Sequence, residues 1–243
     1  MVPHVGDTAP GAPHDFPFCH PLYDAWVVTA SQPLSRTERA QLCALFDEVG
    51  PDAPTLCQGW AARDLAAHLA VRERRPDTAS AIVLPKIPLL TRRLESAQAG
   101  FAARPWEQLV ELVRSGPPGW SPLGLPFIEA AANSSEFFVH HEDVRRASPG
   151  WAPRELPAAA SETLWRVLRT HARMFYRKAP AGVVLRRPDG VSWRARGGGR
   201  MVTLTGEPQE LVLHAMGRTS VARVQVSGDP EDVADFSTTP LGV

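Results

Sequence analysis

Glu136 and His140 lie four residues apart in the segment SSEFFVHHEDVRRA, residues 134 to 147. On a helix both side chains leave the same face one turn apart, which is how a helix presents two ligands to one metal ion. A third candidate, His68, sits in DLAAHLA, where Ala61, Leu65, His68 and Leu69 share a helical face that points the imidazole inward. Two imidazoles and a carboxylate are a ligand set that zinc accepts, and three protein ligands leave a coordination position for water or a substrate thiolate. His141 leaves the helix about 100° from His140, so the two can hardly hold one ion, and His141 takes a supporting or surface role. The three cysteines, Cys19, Cys43 and Cys57, share no motif with these ligands. A plainer reading stands beside this one: Glu-x-x-x-His also serves as a surface ion pair, and an inward histidine is often a satisfied core residue.

The elements that must position these side chains are mostly helical. Ser35 and Glu38 make a Ser-x-x-Glu capping pattern ahead of Leu42, Leu45, Phe46 and Val49 at helical spacing, with Gly50 and Pro51 as the stop. A loop through Pro54, Cys57 and Gly59 leads to Trp60 and a second helix over 62–74, which carries His68. Pro76, Pro85 and Pro88 interrupt the chain before a helix over 89–103. Trp106, Leu109, Val110 and Val113 then predict a short amphipathic helix. The segment holding Glu136 and His140 lacks glycine and proline and, with Ala130, Ala131 and Ala132 before it, predicts a long helix. The next helix, over 157–178, puts Leu164, Val167, Leu168, His171 and Phe175 on one face, with His171 read as a packing or surface histidine.

Beyond Pro180 the period changes. GVVLRR, VSWRAR and MVTLTG predict three short strands, separated by turn residues at Pro188-Asp189-Gly190 and Gly197-Gly198-Gly199. The triple glycine leads into no helix, so it is read as a hairpin turn and not as an anion cradle. A helix over 207–216, the strand VARVQVSG and a last helical turn near 229–236 complete the chain. Helices first and strands afterwards argue for two units: a helical one, residues 34–179, and a small α+β one, residues 180–243. Residues 1–33 carry prolines at 3, 10, 13, 17, 21 and 33 without helical period and are expected to be a disordered extension, which makes His4, His14 and His20 poor ligands.

Composition bounds the partners. A chain of 243 residues can bury a sizeable core, and 26 basic residues balance 26 acidic ones, leaving no net charge to draw nucleic acid or an anionic membrane. Scattered cysteines without a Cys-x-x-Cys pair suit a reducing cytoplasm. No apolar run approaches the roughly 20 residues that span a bilayer, and no basic region precedes an apolar core at the N-terminus. The sequence leaves the oligomeric state open.

Two segments carry a resemblance. LCQGWAARDLAAHLAVRERRPD (56–77) and EFFVHHEDVRRA (136–147) resemble the signature segments of the mycothiol-dependent maleylpyruvate isomerase-like metal-binding proteins, part of the DinB-like, thiol-dependent superfamily. TERAQLCALFDEVGPDAPTLCQGW with RERRP is similar to an actinobacterial subgroup of uncharacterised members, and GEPQELVLHAMGR is similar to the family's C-terminal domain, so the resemblance runs over residues 34 to 236. It implies a four-helix bundle holding a metal between its helices, followed by a small α+β domain. His68 matches the family's first histidine ligand, Glu136 and His140 match its Glu-x-x-x-His pair, and Arg218 matches the arginine of a C-terminal Gly-Arg motif placed near the site. Mycothiol as cofactor and an electrophilic small molecule as substrate are implied in the same way. Many relatives continue as His-Gly-Trp-Asp where this chain has His140-His141-Glu142-Asp143. That keeps the ligands and changes the substrate surroundings, so the named isomerase activity does not follow from the ligands.

Two functions therefore compete. In the first, the chain is a thiol-dependent isomerase or S-transferase, with zinc holding a cofactor thiol as thiolate and Arg218 or Arg72 binding an anionic group of thiol or substrate. In the second, the same ligands hold a structural or sensory ion in a non-catalytic protein; a metal-free helical protein with a core histidine is a third. Imidazole and carboxylate accept zinc, nickel or iron.

Overall fold

A computed structural model of the chain describes Met1 and residues 33–78 and 87–241. The expected N-terminal extension, with His4, His14, Cys19 and His20, and Pro85 lie outside the described residues. Among the described residues there are eight α-helices and four strands. The helices α1 (Leu34–Val49), α2 (Ala62–Arg74), α3 (Pro88–Ala102), α4 (Trp106–Arg114), α5 (Pro126–Arg145) and α6 (Ala158–Phe175) come first. They are followed by β1 (Gly182–Arg186), β2 (Ser192–Arg196), β3 (Met201–Thr205), α7 (Pro208–Ala215), β4 (Gln225–Gly228) and α8 (Pro230–Ser237). None of these helices is long and apolar enough to cross a membrane.

Helix α5 organises the packing because its apolar residues point in more than one direction. Phe137 and Val144 join Leu42, Cys43 and Phe46 of α1, Leu65 and Leu69 of α2, and Leu109, Val110 and Val113 of α4 in one core. Phe138 and Val139 turn the other way, into a second core built from Leu164, Trp165 and Leu168 of α6, Val183 and Leu185 of β1, Val202 and Leu204 of β3, and Leu211 and Leu213 of α7. Between these two buried sides α5 carries its polar residues, with Glu136 and His140 on one partly exposed stripe and His141 and Glu142 buried on another side. The change of period at Pro180 falls between the end of α6 and the start of β1, and the second core runs through it.

The start of α1 differs from expectation. Pro33 stands at the cap position, no side chain caps the helix, and Ser35 and Glu38 lie buried inside its first turns. Proline presets a helix-compatible φ just ahead of the first turn, and Glu38 is drawn inward by Arg154 and His141, so its carboxylate does not return to the helix end.

The sheet order is β2-β1-β3-β4. β1 and β2 form the antiparallel hairpin expected at Pro188-Asp189-Gly190, where Gly190 takes φ +89° and the Arg187 amide donates to the Val191 carbonyl at 2.8 Å. The triple glycine does not make a second hairpin. β3 pairs with β1, in parallel, with Val183 opposite Val202 and Leu185 opposite Leu204, so residues 197–200 carry the chain past the end of β1. The passage is close: a Cβ on Gly198 would stand 2.7 Å from the Gly182 amide nitrogen, and that amide donates to Arg200 at 2.8 Å. Glycine is needed there for backbone approach. β4 then pairs antiparallel with β3 and is shorter than VARVQVSG, beginning at Gln225.

Candidate metal centre

Each side chain of the site is placed by a local cause. The Asp64 carboxylate accepts the Ala61 amide at 3.0 Å and fixes the start of α2. Leu65 and Leu69, fully buried, dock that helix, and His68 emerges beside the Trp60 ring at a centroid distance of 5.2 Å. Glu136 and His140 leave α5 one turn apart, as their spacing requires. The His68 Nε2 lies 3.2 Å from Glu136 Oε1, and His140 Nε2 lies 3.4 Å from the same oxygen. The side chains of His68, Glu136 and His140 are 23 %, 20 % and 12 % exposed, so the cluster sits at the edge of the core within reach of solvent.

Behind His140 stands a second set of groups. Its Nδ1 meets Asp143 Oδ2 at 2.9 Å, and the fully buried Asp143 accepts from Arg218 Nε at 2.8 Å and Nη2 at 2.6 Å. Cys57 joins from the loop before α2, its Sγ 3.2 Å from Asp143 Oδ2 and 3.9 Å from His140 Nδ1. The Leu56 amide, donating to the Asp143 carbonyl at 3.0 Å, ties that loop to α5. With Nδ1 held by a carboxylate, His140 directs its Nε2 toward Glu136 and His68; once that nitrogen gives up its proton, this is the arrangement that orients a metal-ligating imidazole.

The charges follow from these contacts. Burial alone would raise the Glu136 carboxyl, but hydrogen bonds with His140 and His68 and the nearby Arg72 outweigh it and hold it well below the usual carboxylate range. Burial opposes charge on His140, yet Asp143, Cys57 and Glu136 raise its imidazolium pKa well above the ordinary value. Burial likewise works against the Asp143 carboxylate, and His140 and Arg218 bring it down to about 2. The cluster is an array of ionised partners in mutual balance.

The donor set fits a divalent cation. Ligands about 2.1 Å from a tetrahedral ion stand roughly 3.4 Å from one another, close to the separations of Glu136 Oε1 from the two Nε2 atoms, and the three donors all lie within 4.8 Å of each other. Cys57, His140 and Asp143 form a second convergent group. There, however, Asp143 is already neutralised by the Arg218 fork, and a cation would have to displace a guanidinium. His68, Glu136 and His140 are the better cage.

The remaining sequence candidates fall as follows. Arg72, one turn after His68 on α2, brings its Nε within 3.4 Å of Glu136 Oε1 and also bonds Asn133. Arg218 stands on the Asp143 side, its Nη1 donating to the Met216 carbonyl at 2.7 Å, and lines a cavity of about 340 Å³ with Cys57, Gln58 and Ser220. His141 is buried and faces away, 2.8 Å from Glu38 Oε2. His171 bonds the Val167 carbonyl of its own helix. Sequence reasoning missed Asp143 and Cys57. The i, i+3 spacing of His140 and Asp143 was a usable signal; Cys57, set aside for want of a motif, reaches the site through loop folding that no local period announces.

No family model matches the chain, and no curated protein matches it. Two solved structures do: crystal structures of the mycothiol-dependent maleylpyruvate isomerase and of a histidine-to-alanine mutant of it. They are 17 % and 18 % identical to this chain, with TM-scores of 0.55 and 0.54, and each match covers 80 % of this chain and 90 % of the other. At that identity the likeness is one of fold, and this chain has the helix-rich fold with a small sheet that those structures have.

Proposed function

We propose that the chain is a metal-dependent enzyme of thiol chemistry, a mycothiol-type isomerase or S-transferase, with zinc held by His68, Glu136 and His140 and one coordination position open to the thiol. The observation that carries this reading is the convergence of two imidazole Nε2 atoms on Glu136 Oε1, with one imidazole fixed from behind by Asp143 and Arg218. Its partial exposure supports an open site, because a purely structural zinc is usually closed by a fourth protein ligand. We read the helices that carry it as a four-helix bundle ahead of a small α+β domain beginning near residue 180.

A divalent cation at this site supplies Lewis acidity that holds a bound thiol as thiolate at neutral pH. The chain's own groups do the rest. Asp143 keeps the proton of His140 on Nδ1, and Arg218 holds Asp143 ionised so that this proton is not passed away from the site. Arg72 stands where an anionic group of the substrate or thiol would meet a guanidinium once Glu136 is committed to the cation. The carbon–sulfur bond forms as the thiolate adds to an electrophilic carbon. For a carbon–carbon double bond conjugated to a carbonyl, the displaced electron pair moves onto the carbonyl oxygen; if it returns, the carbon–sulfur bond breaks, thiolate leaves and the re-formed double bond has been free to rotate, a net isomerisation, whereas if the adduct takes up a proton at carbon the net reaction is transfer.

The test is metal content of untagged protein, followed by incubation of loaded protein with mycothiol and a panel of electrophiles, maleylpyruvate included. One equivalent of zinc and metal-dependent consumption or isomerisation of an electrophile are expected, with both lost in Glu136→Ala. Stoichiometric zinc in both His68→Ala and His140→Ala would remove the ligand assignment. Chelation that unfolds the chain, with no thiol turnover in the loaded form, would point to a structural ion instead.

A further inference from the structure

The region between Thr163 and Gly206 carries ten lysines and arginines against Asp189 as its sole acid, in a chain whose total charge is zero. Part of this excess is compensated: Arg187 pairs with Glu162 and Asp189, and Arg200 pairs with Asp232 and Asp235. Arg169 lies over the Trp193 ring at 4.3 Å. Four of the remaining seven face one another. Arg173 and Arg177, one turn apart on α6, and Arg194 and Arg196, on the edge strand β2, line a cavity of about 700 Å³ with Ala195 and Gly197. Among the described residues no carboxylate pairs with any of them, and Arg196 Nη1 is buried without a hydrogen-bond partner.

Four guanidiniums facing one concavity repel each other, and a buried N–H without an acceptor carries a desolvation cost of its own. Both are relieved by one kind of ligand: a compact anion with several charges and oxygens matched to the guanidinium fork. A single orthophosphate or carboxylate is too small to reach four forks from two elements, whereas the cavity is of the size that small-molecule ligands fill. We propose that the cleft between α6 and β2 binds a small molecule bearing two or more linked phosphoryl groups, through Arg173, Arg177, Arg194 and Arg196. The site shares no residue with the metal centre, so it stands or falls independently of the chemistry proposed there. A nucleotide and an inorganic polyphosphate offer the same oxygens, and the test separates them.

Tripolyphosphate, ATP and orthophosphate are each titrated into the full chain by calorimetry at about physiological ionic strength, where non-specific attraction between exposed charges is largely screened. Saturable binding of one tripolyphosphate per chain is expected, at least tenfold tighter than orthophosphate and weakened at least tenfold in Arg173→Ala/Arg194→Ala. ATP tighter than tripolyphosphate would assign the ligand as a nucleotide, and the reverse order as a polyphosphate. Arg173 and Arg194 are exposed, so the double variant should fold. Independently of any substitution, tripolyphosphate should protect the four arginines of the unaltered protein from an arginine-modifying dicarbonyl, as read by peptide mass spectrometry. Absence of saturable binding, equal affinity in the double variant, protection confined to other arginines, or tighter binding to duplex DNA or phosphatidylserine vesicles than to tripolyphosphate would each overturn the proposal.

Discussion

His140 and His141 are neighbours in sequence and stand on opposite terms with their surroundings. His140 faces a cluster in which two imidazole nitrogens and a guanidinium share one oxygen of Glu136. His141 faces a closed network. Glu38 accepts from His141 and Arg154; Glu142 accepts from Arg145, Arg146 and Arg154; and Arg146 continues to Glu210 on α7 at 2.6 Å and 2.9 Å. The carboxylates of that network are at most 4 % exposed, and Arg146 joins the last turn of α5 to the C-terminal part of the chain. Buried charge is tolerated when every group is paired. Side by side, the two faces of α5 hold charge in two ways: the closed face satisfies each acceptor with its own donors, while the open face crowds several donors onto one acceptor, the arrangement on which the proposed metal site rests.

Substitutions should therefore separate the faces. Arg146→Ala strands Glu142 and Glu210 without their shared guanidinium, and loss of one partner from a buried ion pair costs roughly 3–5 kcal/mol. A fall in melting temperature of roughly 10 °C is expected by calorimetry, with metal still bound stoichiometrically by the folded protein. His140→Ala should do the reverse: bound metal is lost, while chelated variant and chelated wild type melt within about 1 kcal/mol of each other. An Arg146→Ala protein as stable as the wild type would mean that the closed face carries no structural load.

Next in size is the support behind the open face. Asp143→Asn keeps the shape and removes the charge that fixes the His140 tautomer, and loss of such a partner typically lowers metal affinity 10–100-fold. Arg218→Lys leaves Asp143 a positive neighbour without the two-pronged geometry, so a smaller loss is expected. Competition with a chelator of known affinity measures both. Equal affinities in Asp143→Asn and wild type would mean that His140 needs no second partner.

The open face was the more legible of the two in the sequence, for a physical reason. Candidate ligands at i and i+4 on one helix announce themselves by spacing, and His68 shares a face with Leu65 and Leu69. The closed network is assembled from α1, α5, α7 and the segment holding Arg154, and nothing local in those stretches marks Glu38 as the partner of a histidine 103 residues away; by spacing alone it reads as a capping glutamate. The strands show the same limit. Alternation located β1, β2 and β3, but three glycines mark only that the chain bends, and which neighbour β3 chooses depends on Val202 and Leu204 pairing with Val183 and Leu185 in the second core.

The finest test of the two faces is the titration of the two adjacent histidines in metal-free protein. His141 loses basicity because burial disfavours its cation, an effect that the Glu38 contact only partly offsets. Its folded pKa is therefore below the ordinary value of about 6.5; its contribution to stability is complete above that pH and is lost as pH falls through the lowered value. His140 behaves oppositely. With its folded pKa raised by Asp143, Cys57 and Glu136 against the cost of burial, its contribution is complete below about pH 6.5 and fades as pH rises through the raised value. Nuclear magnetic resonance of labelled imidazoles should show two adjacent residues titrating on opposite sides of the free value. Metal affinity should climb with pH until the His140 proton is gone, since that proton and the cation compete for one imidazole. Two coincident titrations near the free value would erase the distinction between the faces.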